Sequence, residues 1–373
     1  MGRASRVESG STVTTADPGA VTLADVARRA KVSPATASRV INGSAKHVAE
    51  ELRARVLKAV DELRYVPNAH AQSLARSQRS AVGVIVHDVS DPYFAEITRG
   101  LQRVATDHGR LLVICNSYRD PARELEYVEM LRAQQVAAIV LAGSGYHDPV
   151  FTRALRGRLR AYEESGGRVA VIGRHDYAGD AVVPANVDGG YLIGDHLYRL
   201  GHRDIGVVAG PRNLTTTTDR LAGLRRAARE HGHRLPAARV CYADFDRDSG
   251  ADAAAALLAA HPRLTAIAAL NDSMAVGVLA HLRGARGPGQ RLSVTGFDDM
   301  PIARDVTPAL TTVRLPLAGM GARATTLALS GASTPARVEA AEAELVVRES
   351  TEPPGGPDGV SGAAAPRGRR RRA

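Results

Sequence analysis

Thr22-Leu-Ala-Asp-Val-Ala-Arg-Arg-Ala-Lys-Val-Ser-Pro-Ala-Thr-Ala-Ser-Arg-Val-Ile-Asn42 reads as two short helices joined by a tight turn. Thr22 can cap the first helix, and Asp25 stands three residues on, where a carboxylate favours the first turn. Leu23, Val26, Ala27 and Ala30 recur at helical spacing and give an apolar face. Ser33-Pro34 restarts a helix, with Ser33 as cap and Pro34 at the first helical position. In that second helix Ala37, Val40 and Ile41 point toward the first, while Ala35, Ser38, Arg39 and Asn42 fall on the opposite stripe. Small and hydrogen-bonding side chains on an exposed helix face suit close approach to base edges. The pair therefore predicts a helix-turn-helix whose second helix lies in a DNA major groove. The alternative is a solvated helical hairpin.

Charge speaks against that alternative. The chain carries a formal +10, and residues 21–79 hold 11 Lys and Arg against 5 Asp and Glu, including all three lysines, Lys31, Lys46 and Lys58. The last seven residues contain five Arg and no acid, so the remainder of the chain is near neutral. A basic module on a neutral body is the electrostatic footprint of a polyanion binder.

Working outward, 48–64 reads as a third helix, with Leu52, Val56, Val60 and Leu63 closing a small core. Tyr65-Val66-Pro67-Asn68 breaks it, because Pro67 disfavours helix at Val66. Asn68 can cap a short segment, 69–76, too short to be helical on its own in water. From Ala81 the pattern changes to strands alternating with helices. Strand runs are expected at 81–86, 111–115, 137–141, 168–173, 205–209, 240–242, 266–270 and 292–297. Such alternation indicates parallel sheets covered on both faces, here two lobes in tandem with a ligand cleft beyond the carboxyl ends of the strands.

A length of 373 residues implies two or three units, and the 44% apolar fraction is ordinary for a globular chain. No apolar run reaches the length of a membrane span, and the N-terminus lacks the apolar core of an export signal. Cys115 and Cys241 are far apart and lack metal-ligand spacing, which fits buried thiols in a reducing compartment. A cytoplasmic protein is expected. No Walker loop, Gly-x-Ser-x-Gly elbow, zinc motif or acid pair tied to a nucleophile is present, so neither an enzyme nor a cofactor or metal is expected.

Several ordered motifs resemble those of the LacI/GalR family of transcription regulators, over Val21 to Ser350. They are Leu23-Ala-Asp-Val-Ala27, Val32-Ser-Pro-Ala-Thr-Ala-Ser-Arg-Val-Ile-Asn-Gly43, Tyr65-Val-Pro-Asn68, Asp91-Pro-Tyr-Phe94, Gly201-His-Arg203, Ala209-Gly-Pro211, Asn271-Asp-Ser-Met-Ala275, Gly296-Phe-Asp-Asp299 and Leu310-Thr-Thr-Val313. The resemblance implies an all-α helix-turn-helix headpiece plus an α/β core of two parallel-sheet lobes, like periplasmic binding proteins. The expected division is a disordered leader (1–20), the headpiece (21–66), a hinge helix (67–79), the core (80–350) and a disordered basic tail (351–373). Within the core, the first lobe is expected at 80–173 and 315–331, and the second at 174–310 and 334–350.

The resemblance also implies roles. Pro34, Ala35, Thr36, Ser38 and Arg39 are candidate base readers, with Arg39 the best placed for a bidentate contact to guanine. Thr22, Ser33, Asn42 and His47 resemble positions that touch the DNA backbone. Ala71 and Leu74 resemble hinge residues that enter the minor groove, Leu74 as a wedge. Asp91, Tyr93, Phe94, Arg174, Asn186, Arg220, Phe245, Asp272 and Asp298 are effector-site candidates, acids, amide and Arg with flat apolar rings that suit a sugar. The alternative for Asp91 and Asp272 is a helix cap, and for Tyr93 and Phe94 a place in the core. The implied function is a repressor, a homodimer on a near-palindromic double-stranded DNA operator, released or tightened by a small effector in the cleft. No C-terminal leucine-heptad helix is visible that would pair dimers further. The rival is a solute-binding protein of a sugar transport system.

Overall fold

The computed structural model describes residues 21–42, 48–66, 81–285, 292–331 and 333–355. The chain divides at Arg79 and Ser80 into two compact units. Expected features at His47, Ala71 and Leu74, the leader 1–20 and the tail beyond Gly355 lie outside the described residues.

The first unit packs three helices, α1 (Leu23–Ala30), α2 (Pro34–Ile41) and α3 (Glu50–Glu62). Thr22 and Asp25 form a reciprocal capping box, each side chain serving the other's backbone N–H, and Arg28 pairs with Asp25 at 2.8 Å. Lys31 takes the left-handed conformation (φ 53°) and ends α1. Ser33 then accepts from Thr36 N at 3.1 Å, so α2 restarts at Pro34 as expected. Val26, Ala27, Ala30, Ala37, Val40, Val56 and Ala59 are buried together. That core is mostly Ala and Val, and a domain this small buries too little to be more than marginal. Arg55 of α3 adds a polar tie by donating to the last carbonyls of α1, Ala30 O and Lys31 O.

The second unit is two α/β lobes. The first holds a parallel sheet of six strands, β1 (Ala81–Val86), β2 (Leu111–Asn116), β3 (Ala138–Ala142), β4 (Val169–Ile172), β5 (Asp180–Pro184) and β11 (Val338–Ala341), in the spatial order β11-β5-β4-β3-β1-β2. The second holds β6 (Ile205–Ala209), β7 (Val240–Tyr242), β8 (Ala266–Ala269) and β9 (Ser293–Thr295), in the order β7-β6-β8-β9. A two-stranded antiparallel ribbon, β10 (Thr312–Arg314) with β12 (Glu344–Val346), lies where the chain passes between lobes.

Two boundaries differ from the sequence reading. Asp180–Pro184 and Val338–Ala341, expected in the second lobe, pair into the first-lobe sheet in the registers Ala170↔Asp180 and Val338↔Ala181. Both are short segments without a long apolar run, β11 at the edge and β5 beside it; the Arg337 guanidinium pairs with Asp180, and Arg337 N donates to Asp180 Oδ1 at 2.8 Å, which ties the two strands together. The body also extends past 350. His196 Nε2 lies 2.9 Å from Thr351 Oγ1, and Ser293 Oγ donates to Glu352 O at 2.9 Å, so Thr351 and Glu352 are bonded to the second lobe.

Three first-lobe helices begin with the same device. Asp91-Pro92, Asp120-Pro121 and Asp148-Pro149 follow β1, β2 and β3, and each Asp accepts the N–H two residues on, at 3.0, 2.9 and 2.9 Å. The Asp satisfies an orphan donor and Pro needs none, so the helix starts abruptly at the carboxyl end of its strand. The three turns therefore gather at one edge of the sheet, facing the second lobe.

Candidate functional site

On the headpiece, Ser33, Pro34, Ala35 and Arg39 are exposed, and Thr36, Ser38 and Asn42 are partly so. Ser33 Oγ lies 2.8 Å from Thr36 Oγ1, and Asn42 Nδ2 donates to Ser38 Oγ at 3.0 Å. These hydroxyls are held in place by neighbours. The guanidinium of Arg39 has no partner among the described residues, which leaves its full donor set for an acceptor outside the chain. Thr22 is exposed, although its hydroxyl is engaged with Asp25 at 2.6 Å.

In the second unit the lobes are zipped together along 143–147 and 213–219. Ser144 Oγ donates to Thr216 Oγ1 at 2.6 Å, Thr215 N to Gly145 O at 2.9 Å, and His147 N to Asn213 O at 2.8 Å. Arg174 Nε and Nη2 bind both oxygens of Asp219 at 2.9 and 2.6 Å. Beside this seam a cavity of about 40 Å³ is walled by both lobes. His87, Asp91, Tyr93, Phe94, Arg119, Gly143 and Ser144 come from the first, and Thr216, Arg220, Phe245, Asn271 and Asp298 from the second.

The second-lobe wall is built around Arg220, which is 2% exposed. It lies on the helix Thr215–Glu230, which crosses the helix Asn186–Arg199 so closely that a Cβ on Gly190 would stand 2.1 Å from Arg220 O. Its guanidinium donates to Asp298 Oδ1 at 2.8 Å, to Asn186 Oδ1 at 2.9 Å and to Leu270 O. Its flat face covers Phe297, 3.6 Å from the ring centroid. Burial pushes the Asp298 carboxyl up, and Arg220 opposes that shift. Asp298 itself takes a left-handed φ of 106°, and Phe245 one of 64°. Strained backbone of this kind gathers at ligand clamps. Phe245 packs on Gly210, where a Cβ would sit 2.1 Å from its ring.

The first-lobe wall is backed by a buried polar cluster. Glu124 accepts from Tyr146 Oη at 2.8 Å and Ser117 Oγ at 3.2 Å, with His87 Nε2 3.6 Å away. Burial raises Glu124 to about 7 and lowers His87 to about 3, so His87 is neutral and packs as a ring, 5.4 Å from Phe94. Burial raises Asp91, while its cap bond from Tyr93 N and the charge of Arg119 oppose that.

Six of the nine residues expected at an effector site line this cavity: Asp91, Tyr93, Phe94, Arg220, Phe245 and Asp298. Asn186 stands behind Arg220 and orients it. Asp272 is fully buried and accepts from Met300 N and Thr312 Oγ1, both at 2.6 Å, so it fixes the loop that carries Asp298. Arg174 faces a wider recess of about 660 Å³, whose salt bridges Arg156–Asp176 and Arg174–Asp219 are internal. The smaller cavity is where buried charge and aromatic rings converge. Sequence reasoning missed His87, Arg119, Ser144, Thr216 and Asn271. His87, Ser144 and Asn271 directly or nearly follow strands, and that position was the signal for them.

Among the described residues no helix is long and apolar enough to cross a membrane. Residues 22–68 match the bacterial regulatory proteins of the lacI family, and residues 194–351 match the periplasmic binding protein-like domain. The chain is 37% identical over 318 residues to the HTH-type transcriptional regulator GalS of Salmonella typhimurium, covering 84% of this chain and 90% of that protein. It is 36% identical over 304 residues to the HTH-type transcriptional repressor PurR of Escherichia fergusonii, covering 80% and 87%. The lac repressor dimer bound to operator and the anti-inducer ONPF matches with a TM-score of 0.76 at 26% identity, over 89% of this chain and 99% of that one. A CelR–cellobiose complex matches at 0.65 and 30% identity, over 89% and 100%. Identity of that order along 90% of a relative's length decides the matter: the chain belongs to the LacI family of bacterial regulatory proteins and is a DNA-binding transcription regulator.

Proposed function

We propose that the protein is a repressor that binds a near-palindromic operator as a homodimer in the cytoplasm and is switched by a sugar held between the core lobes. The observation that carries the effector half is the interlobe cavity, where Asp91 and Asp298 offer acceptors for hydroxyls and Tyr93, Phe94 and Phe245 offer flat apolar faces. Two relatives with solved structures are named as complexes with small ligands, cellobiose and ribose, which supports the same class here. The DNA half rests on Pro34, Ala35, Thr36, Ser38 and Arg39 on one helix face, with Thr22, Ser33, Asn42 and His47 on the phosphates and Ala71 and Leu74 in the minor groove. An exposed apolar edge supports the dimer: β2 ends the first-lobe sheet and leaves Leu111, Val113 and Ile114 at 72, 40 and 42% exposure.

The switch is a population shift. An effector changes operator affinity only if it binds two core arrangements unequally. The cavity of about 40 Å³ is far below the ~300–1,000 Å³ of ordinary ligand sites, so occupation must part the seam at Ser144–Thr216. Selection of bound genomic fragments, followed by anisotropy titrations against the recovered site and random DNA, tests the reading. A selected site with two-fold symmetry whose affinity changes with one sugar is the expected result. Absence of any preference over random DNA overturns it.

A further inference from the structure

Among the described residues, Arg119 is the one cation on the cavity wall whose charge has no counter-charge within pairing distance. Arg220 is paired with Asp298 and satisfied by Asn186 and Leu270 O. Arg174, outside the wall, is paired with Asp219. His87 is neutral at physiological pH. Arg119 makes no hydrogen bond and no ion pair within 4 Å among the described residues, and its Nε is buried with no partner. Asp91, whose carboxyl feels the Arg119 charge, stands beyond pairing distance and is committed through Oδ1 to capping its own helix. The side chain is not loose. Arg119 sits in a turn where both Tyr118 and Arg119 have left-handed φ, 53° and 60°, and its guanidinium carbon lies 5.6 Å from the ring centroid of Phe245 on the opposite lobe. A buried, unsatisfied guanidinium donor costs free energy unless something outside the chain accepts from it. The planar fork of Arg matches two oxygens of a carboxylate or phosphate.

Resting on the sugar reading above, we propose that the effector is an anionic polyol, its hydroxyls on Asp91 and Asp298 and its acid group, carboxylate or phosphate, on Arg119. The neighbouring charges are compatible with this. Asp298 is neutralised by Arg220, and Arg119 lies on the far wall, so the acid end and the hydroxyl end of one ligand meet different residues.

The test uses the full chain and matched trios: glucose, glucuronate and glucose 6-phosphate, then galactose, galacturonate and galactose 6-phosphate, then ribose, ribonate and ribose 5-phosphate. Calorimetry on wild type, Arg119→Gln and Arg119→Lys reads the affinities, and thermal melts without ligand check that each variant folds. The expected result is that, in at least one trio, an acid member binds about tenfold or more tighter than its neutral parent, the size of a charge-assisted hydrogen bond. That preference disappears in Arg119→Gln and partly returns in Arg119→Lys. The carboxylate and phosphate arms tell the two acids apart. A neutral parent that binds as tightly as its acids, or an Arg119→Gln that weakens both equally, overturns the proposal and leaves the sugar reading standing. Silence across all trios overturns both, while preference for a selected operator would keep the regulator.

Discussion

Arg39 is exposed and unpartnered on the face of α2, whereas Ser38 and Thr36 are tied to Asn42 and Ser33. Replacing Arg39 by Ala is expected to weaken operator binding by about 1–3 kcal/mol and to relax choice at a single base pair. If the loss is instead uniform across sequences and accompanied by a shallower salt slope, Arg39 is a phosphate contact. Glu124 supplies a second test. Its carboxyl ordinarily titrates near 4.5 and here near 7, because burial, with some help from Asp120, outweighs the bonds from Tyr146 and Ser117. The folded chain therefore keeps a proton that the unfolded chain releases above pH 4.5. The stability contributed by the neutral acid is complete below that pH and is lost as pH rises toward 7, on the order of 3 kcal/mol. His87, lowered to about 3, titrates in the opposite sense, so the informative quantity is a difference between proteins. Melts from pH 5 to 8 should show Glu124→Gln gaining on wild type as pH rises; parallel curves would mean Glu124 is not protonated in the fold.

At the scale of elements, caps were legible in the residues themselves. Thr22, Asp25, Ser33 and Pro34 do locally what their chemistry favours, and the helix-turn-helix follows at the expected boundaries. The long apolar strands were legible for the same reason, because burial on both faces writes a continuous run. Asp180–Pro184 and Val338–Ala341 were not, since a strand of four or five residues is defined by its partners and by the Arg337–Asp180 tie, not by its own pattern. The site divides likewise. Residues in motifs, such as Asp91, Tyr93, Phe94 and Asp298, could be named, while Arg119 reaches the cavity only because two consecutive residues turn left-handed, which no periodicity encodes. The exposed β2 edge yields its own prediction. Val113→Asp is expected to shift the protein from dimer toward monomer in light scattering, with operator affinity falling alongside. An unchanged mass would place the dimer contact elsewhere.

At the scale of the whole molecule, the core lobes meet along the seam from Ser144 to His147, and the cavity beside it holds only about 40 Å³. A chamber smaller than its ligand makes arrival a matter of timing as well as fit. A molecule in solution must wait for the doorway, so in stopped-flow mixing the observed rate should climb with effector concentration and then level off at the opening frequency. Removing the Ser144 hydroxyl, by substitution with Ala, should lift that ceiling and steepen the initial slope with it, because the bond to Thr216 holds the closed arrangement. A rate that keeps rising linearly to the highest concentrations would mean the chamber is already ajar in solution.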